Sequence, residues 1–451
     1  MKTKFKQTIL LIMLFIILCL TSCDDETYIE PPIDTTKNNT IFEYTDNKDK
    51  PLDFNVIDGS DVIKYYNGYL YFLNGSTSLS KSVTLMKYNI KSNNLTCVCA
   101  DPLCDHNTPD CPLYGLNNSY YIYNDNIYFQ RIYHYMHRKP NGNPDYMEYF
   151  TGSCSYNFSD MKLTIYEQIE NAEISDLGYT EYTSQLYTEN YRYYYKYVYN
   201  ESLENYIFSI CRMDLNTKEI VVLDSDSNIE DSEDLFSTSL KITFLFHLND
   251  RIYFTDGKTI YSTDFDMNDR QDVLNGTFIY SEIYTDGEYI YWGESEDSDN
   301  NILQTLYRAK LDGSGEKTSL GIKTEDWQIT ENYIYYLNPC ETIIGKNEME
   351  QRNGENIVLN NNEIRRTSHD GSSNEAVFSL IQDDTNFEIY QYTCVGNYIY
   401  AAYETYTDNN NDGAINDSEF YQSTYAAAYT ILRIDVTTGD TYYIHCGTED
   451  N

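Results

Sequence analysis

From residue 51 onward, apolar and polar positions alternate in short runs, the period of a half-buried β-strand rather than of a helix. Seven of these runs follow an Asn, Asp or Gly turn: "YYNGYLYFLN", "IYNDNIYFQR", "YTENYRYYYK", "HLNDRIYFTD", "YTDGEYIYWG", "ITENYIYYLN" and "CVGNYIYAAY". Each predicts a hairpin. Their corresponding tyrosines, Tyr71, Tyr128, Tyr193, Tyr253, Tyr291, Tyr335 and Tyr400, lie 38 to 65 residues apart. Most copies are followed by a second hairpin, as in "LMKYNIKSNNLTCV", "LYRAKLDGSGEKTSL" and "ILRIDVTTGDTYYIH". Two hairpins make a four-stranded unit that cannot cover both of its faces alone, and units of this period stack around an axis. The pattern therefore predicts an all-β fold, a β-propeller of seven blades with four antiparallel strands each, over residues 51–451. The run from about 134 to 185 fits the period badly. There "MHRKPNGNPDYMEYFTGSCSYNFSDMK" predicts an extended loop, and six or eight blades stay open.

The first 22 residues follow a different pattern. "MKTKFKQ" brings three lysines, "ILLIMLFIILCL" twelve apolar residues, and "LTSC" follows. Twelve residues of helix span about 18 Å, short of a bilayer core of roughly 30 Å, so the segment reads as an export signal rather than a permanent span. Leu20, Thr21, Ser22 and Cys23 resemble the lipobox of bacterial lipoproteins. That resemblance implies cleavage before Cys23, a diacylglycerol on its thiol, and an extracytoplasmic protein tethered to the bacterial membrane or cell surface. Residues 23–50 would then be a lipid-anchored linker, with "DDETYIEPPIDTTKNN" at its start.

Charge narrows the partners. The chain carries a formal charge of −40, and losing Lys2, Lys4 and Lys6 with the leader, and no acid, makes it −43. A surface this acidic repels nucleic acid and anionic lipid and attracts divalent cations or basic partners.

Two stretches carry candidate chemistry. "DNNNDGAINDSE", residues 408–419, has the spacing of an EF-hand calcium loop. Asp408, Asn410 and Asp412 would offer side-chain oxygens, Ala414 its carbonyl, Asn416 a ligand or bridging water, and Glu419 two carboxylate oxygens. Gly413 allows the sharp turn, and Ile415 is the apolar anchor. The loop falls between the second and third strands of the last repeat, without flanking helices, so calcium here would staple a loop rather than open a helix pair. "CVCADPLCDHNTPDCPL" places Cys97, Cys99, Cys104, His106 and Cys111 within fifteen residues. Three thiolates and an imidazole suit zinc, with Cys99, Cys104, His106 and Cys111 as the set. In an exported chain disulfides are the competing reading, although nine cysteines remain once Cys19 and Cys23 are set aside, an odd number.

The pairing of "DGEYIYW" with "LYRAKLDGSGEKTSL" resembles the propeller repeats of low-density-lipoprotein-receptor-related proteins, and the chain is similar to bacterial lipoproteins of unknown function that carry such a domain. The receptor signature "YWTD" is reduced here to "YIYW" at Tyr289 to Trp292. The resemblance implies the propeller and leaves the ligand open. No Gly-x-Ser-x-Gly elbow, His-Glu-x-x-His pair or phosphate loop occurs in the sequence. His134 and His137 of "HYMH" face opposite sides of an alternating strand and read as surface residues. Forty-nine tyrosines exceed the needs of one core and suggest stacking on sugars or an interface. The expectation is a non-catalytic binding or scaffolding lipoprotein that presents a propeller face to an envelope protein or glycan. A carbohydrate-active enzyme, glycoside hydrolase or lyase, is the alternative.

Overall fold

Seven antiparallel four-stranded sheets follow one another along the chain, six of them built from consecutive strands and one interrupted by a small separate hairpin. The computed structural model describes residues 63–445 apart from 75–83, 100, 102, 105, 107, 140–141, 170–180, 201–204, 227–241, 279–281, 296–302, 325, 339–342, 346–356, 359–362, 380–385 and 407–429. All fall in one structural unit, Thr45–Asn451. The leader, Cys23, the linker and the calcium-loop residues 408–419 lie outside the described residues.

Blade I is β1 (Ile63–Tyr66), β2 (Tyr69–Asn74), β3 (Thr84–Asn89) and β4 (Asn94–Cys97). Blade II is β5 (Leu116–Tyr123), β6 (Asn126–Arg138), β7 (Pro144–Asn157) and β8 (Leu163–Ile169). Blade III is β9 (Glu181–Tyr187), β10 (Tyr191–Asn200), β11 (Asn205–Asp214) and β12 (Ile220–Asp226), and blade IV is β13 (Thr243–Leu248), β14 (Arg251–Thr255), β15 (Thr259–Thr263) and β16 (Gln271–Asn275). Blade V is β17 (Ile283–Thr285), β18 (Tyr289–Ser295), β19 (Gln304–Lys310) and β20 (Thr318–Thr324). Blade VI begins with β21 (Trp327–Ile329) and β22 (Tyr333–Asn338). A small separate hairpin, β23 (Ile343–Gly345) and β24 (Ile357–Val358), precedes β25 (Glu363–Ser368) and β26 (Glu375–Ser379), which complete the blade. Blade VII is β27 (Asn386–Val395), β28 (Tyr398–Tyr406), β29 (Thr430–Asp435) and β30 (Thr441–His445). The architecture is thus an all-β propeller of seven four-stranded blades, with blade II counted once.

The expected extended loop after Met136 is instead the long hairpin β6–β7. Its pairing runs from Asn126↔Asn157 to Arg138↔Pro144, and Gly142, at φ +81°, helps reverse the chain. This arm of 13 and 14 residues is what stretches the repeat period.

All seven recurring tyrosines sit on second strands and are no more than 8% exposed. Cross-strand, they face Lys87, Ser155, Arg212, Ser262, Arg308, Arg366 and Arg433 on the third strands. All four arginines lie over the ring two residues before the recurring tyrosine, Arg212 on Tyr191 and Arg308 on Tyr289 at 4.6 Å, Arg366 on Tyr333 at 4.4 Å, and Arg433 on Tyr398 at 5.6 Å. Several then reach into the next blade, at the turn between its third and fourth strands. Arg212 donates to the Phe265 carbonyl at 3.0 Å, Arg308 to the His369 carbonyl at 3.1 Å, and Arg433 to Asn93 Oδ1 at 2.9 Å. The tyrosine excess noted in the sequence is therefore spent largely between blades: Tyr191 is half-buried, and Tyr193, Tyr194 and Tyr195 of "YRYYYKYVYN" are buried.

The ring closes between blades VII and I without strand exchange among the described residues. Ile63 N donates to Gln391 Oε1 at 3.2 Å, Tyr88 and Tyr400 meet edge to face at 6.2 Å, and Arg433 reaches Asn93.

Between blades V and VI, His369 Nε2 lies 2.9 Å from the Thr330 carbonyl and Nδ1 lies 3.5 Å from Asp286 Oδ2. Two acceptors facing the ring favour its charged form. Burial works against that charge, but the hydrogen bonds to Asp286 and Thr330 outweigh it and raise the His369 pKa. Burial likewise opposes the Asp286 carboxylate, yet donors from His369, Tyr291, Tyr289 and Glu288 hold its pKa well below the usual range. Because the folded pKa of His369 exceeds the unfolded value of 6.5, its stabilisation is complete below that pH and is lost as pH rises through the folded pKa. Asp286 contributes above the ordinary carboxylate range. The melting temperature of wild type should therefore exceed that of His369→Gln most between those two limits. The gap should narrow on the alkaline side, and a gap independent of pH would refute the clasp.

Candidate metal centre

The segment between β4 and β5 crosses from blade I to blade II and folds on short local bonds. Asp101 Oδ1 accepts from Leu103 N at 2.9 Å, the Asp101 carbonyl from Cys104 N at 3.1 Å, and the Thr108 carbonyl from Cys111 N at 3.0 Å. His106 takes a positive φ of 59°. These turns bring Cys99, Cys104, His106 and Cys111 together, with one ligand atom from each lying within 4.8 Å of the others. Zinc bonds of about 2.3 Å to sulfur and 2.0 Å to nitrogen separate tetrahedral ligand atoms by roughly 3.5–3.8 Å. Cys111 Sγ stands 3.6 Å from His106 Nδ1, which points to Nδ1 as the ligating nitrogen. The donor set fits a thiophilic divalent cation.

Cys97, the fourth thiol of the segment, is at the rim. Its Sγ donates to the Leu85 carbonyl at 3.6 Å and lies 4.0 Å from His106 Nδ1, and burial pushes its pKa up to about 11. Burial also raises the thiols of Cys99 and Cys111. Both are core residues in one apolar cluster with Tyr71, Leu113, Phe150 and Tyr156. Deprotonating them costs free energy that a bound cation would return. Cys97, Cys99, Cys104, Cys111 and Cys154 form no disulfide in the structure.

Beside this centre lies a residue that the sequence reading missed. Arg131 on β6 is 5% exposed and donates to the carbonyls of Pro109 at 2.7 Å, Cys111 at 2.8 Å and Tyr114 at 2.8 Å. Its guanidinium lies 4.9 Å from the Tyr133 ring centre and 5.3 Å from that of Phe150. A signal was present in "NIYFQRIY": Ile127 and Phe129 face the core, and alternation puts Arg131 on the same side. A buried cation demands compensating negative charge. A divalent ion with three thiolates and a neutral imidazole carries a net −1, and such a centre would supply it.

Beyond Arg131 the sheet narrows. Among the described residues, β5 pairs with β6 as far as Leu116↔Arg131 and β8 with β7 as far as Thr151↔Ile169, and residues 132–150 pair only with each other as a two-stranded arm. One face carries Tyr133, Tyr135, His137, Tyr146, Glu148 and Phe150. Glu148 accepts from Tyr133 OH at 2.8 Å and lies 2.7 Å from His137 Nε2, while His137 stacks on Tyr146 at 4.2 Å. The hydrogen bond from His137 leads the causes that lower the Glu148 pKa. The other face exposes Ile132, Met147 and Tyr149. His137 is thus a surface residue tied to a carboxylate, and the side chain of His134 lies outside the described residues.

No family model matches the chain, and no curated protein matches it. Solved structures match at the level of fold. The β-propeller domain of the Trilobed protease from Pyrococcus furiosus aligns over 90% of this chain and 98% of its own, at 10% identity and a TM-score of 0.45. A prolyl endopeptidase aligns over 89% of this chain at 9% identity and a TM-score of 0.46, and this chain spans only 51% of its length. A nidogen/laminin complex chain aligns over 65% of this chain and 90% of its own, at 10% identity and a TM-score of 0.31.

Proposed function

We propose that the chain is an envelope-anchored, non-catalytic binding or scaffolding lipoprotein, tethered through lipidated Cys23, that presents blade II to an envelope protein or glycan. The observation that carries this reading is the distribution of exposed apolar side chains. Seven of the ten large exposed hydrophobics among the described residues lie on blade II or its metal loop, including Ile132, Tyr146, Met147 and Tyr149 on the arm. Aromatics and methionine on a projecting element suit an adaptable interface. Zinc at Cys99, Cys104, His106 and Cys111 is a structural staple in this reading. Calcium at Asp408, Asn410, Asp412, Ala414, Asn416 and Glu419 staples the hairpin of blade VII. Calorimetric titration that detects no calcium binding would remove the second staple.

The test uses purified protein in a pull-down from envelope extract and on a glycan array, with wild type beside Tyr146→Ala/Tyr149→Ala. Retention of one protein or glycan class by wild type, reduced about tenfold or more in the variant, is expected, since the double substitution removes the exposed aromatic anchor from each face of the arm, and such an anchor contributes on the order of 2 kcal/mol or more. Equal retention would displace the ligand surface from the arm. Sugars released from a retained glycan would instead favour the glycoside hydrolase or lyase reading. Cys23→Ala should move the protein out of the membrane fraction, and its persistence there would count against the lipid anchor.

A further inference from the structure

We infer that Arg131 couples the cysteine–histidine centre to the projecting arm, so that metal occupancy orders residues 132–150. This deepens the binding reading above and rests on it for its biological meaning, though not for its geometry. A two-stranded hairpin is marginally stable by itself, so the arm needs support where it leaves the sheet. That support comes from the metal loop. Ile132 N donates to the Gly115 carbonyl at 2.9 Å, and the Tyr114 ring packs 5.3 Å from Tyr133 and 6.1 Å from Tyr135. Gly115, at φ +79°, lies so close that a Cβ there would meet the Ile132 carbonyl oxygen at 2.7 Å. Cys111 is both a candidate ligand and an acceptor for Arg131, so one residue belongs to the centre and to the base of the arm.

The consequence is directional. A cation that gathers the four side chains fixes the Cys111 and Tyr114 carbonyls, and these fix the guanidinium against the rings of Tyr133 and Phe150. Without it, the loop gives up its local order, and the arm keeps only its own ladder. Local stability of this kind is read by amide exchange.

Reduced protein carrying one equivalent of zinc should be compared with chelated protein by hydrogen exchange, with metal content measured in parallel. Chelation should speed exchange across residues 132–150 by about tenfold or more and leave blades V and VI unchanged. Arg131→Gln should still bind one zinc, yet exchange rapidly in the arm with or without metal, and Arg131→Lys should fall between. Should Arg131→Gln fail to fold, Cys104→Ser, whose side chain is only partly buried, should reproduce the chelated pattern without chelator. Stoichiometric zinc with unchanged arm protection would overturn the coupling, as would uniform loss of protection over all blades or failure to bind zinc. Metal-dependent protection together with no retained protein or glycan would leave the coupling standing and remove the binding reading.

Discussion

Trp292→Ala should lower the unfolding free energy by about 3–5 kcal/mol, the range for truncating a fully buried aromatic. The indole is 0% exposed and fills the space between blades IV and V, in one cluster with Phe246, Tyr253, Phe278 and Ile290. Phe278 meets it edge to face at 5.8 Å, Tyr307 stacks at 6.0 Å, and Nε1 donates to Glu294 Oε1 at 2.9 Å. Glu294 in turn pairs with Lys317, whose ammonium lies 5.9 Å from the Trp292 ring. Truncation therefore leaves a cavity across a blade interface and removes a hydrogen bond. Trp292→Phe keeps most of the volume and should cost less than half as much. Urea unfolding followed by circular dichroism is the measurement, and a midpoint within error of wild type for the alanine variant would show that blades IV and V do not depend on this contact.

Arg433→Ala should cost about 2–4 kcal/mol, combining a charged hydrogen bond with partly desolvated cation–π contacts. The guanidinium is 7% exposed, donates to Asn93 Oδ1 at 2.9 Å, and lies 4.4 Å from the Tyr442 ring centre and 5.6 Å from that of Tyr398. Lysine keeps the charge but not the planar fork, so Arg433→Lys should recover only part of the loss. Asn93 Oδ1 still accepts from Tyr88 OH at 2.7 Å, which keeps the acceptor satisfied and makes the variant a clean probe of the seam. A double-mutant cycle with Asn93→Ala isolates the pair. A coupling energy near zero would place the closure of the ring elsewhere.

The blades were legible because each repeat states its fold locally. A turn such as Asn67–Gly68, both at positive φ, leads into an alternating strand whose tyrosine meets the third strand in fixed register. Seven copies of that statement leave little room for another topology. The arm was not legible, because Pro144, Gly152 and the polar run Ser153–Ser155 interrupt the composition expected of a strand, while the partner that rescues them is β6. Pairing supplies what propensity lacks. At the candidate centre, spacing offered four thiols and one imidazole, and the set named from it, Cys99, Cys104, His106 and Cys111, is the one the fold gathers. What sets Cys97 apart is its place in β4 opposite Met86 and its bond to the Leu85 carbonyl. Arg131 stayed hidden because its importance lies in three backbone carbonyls from a loop fifteen or more residues earlier, and carbonyls leave no mark in sequence.

The seam that joins blade VII to blade I without strand exchange among the described residues also sets an order of events during synthesis. Blades I to VI can each dock on the preceding neighbour as they emerge, since each draws its strands from its own stretch of chain. The ring stays open until blade VII arrives. Up to that moment two blade faces, those that later carry the Tyr88–Tyr400 contact and the cluster around Tyr335 and Ile364, stand uncovered. A chain cut short before Asn386 would keep both faces exposed for good, a ready substrate for aggregation or for proteases. The last blade thus acts as a quality gate, separating a finished molecule from one marked for disposal.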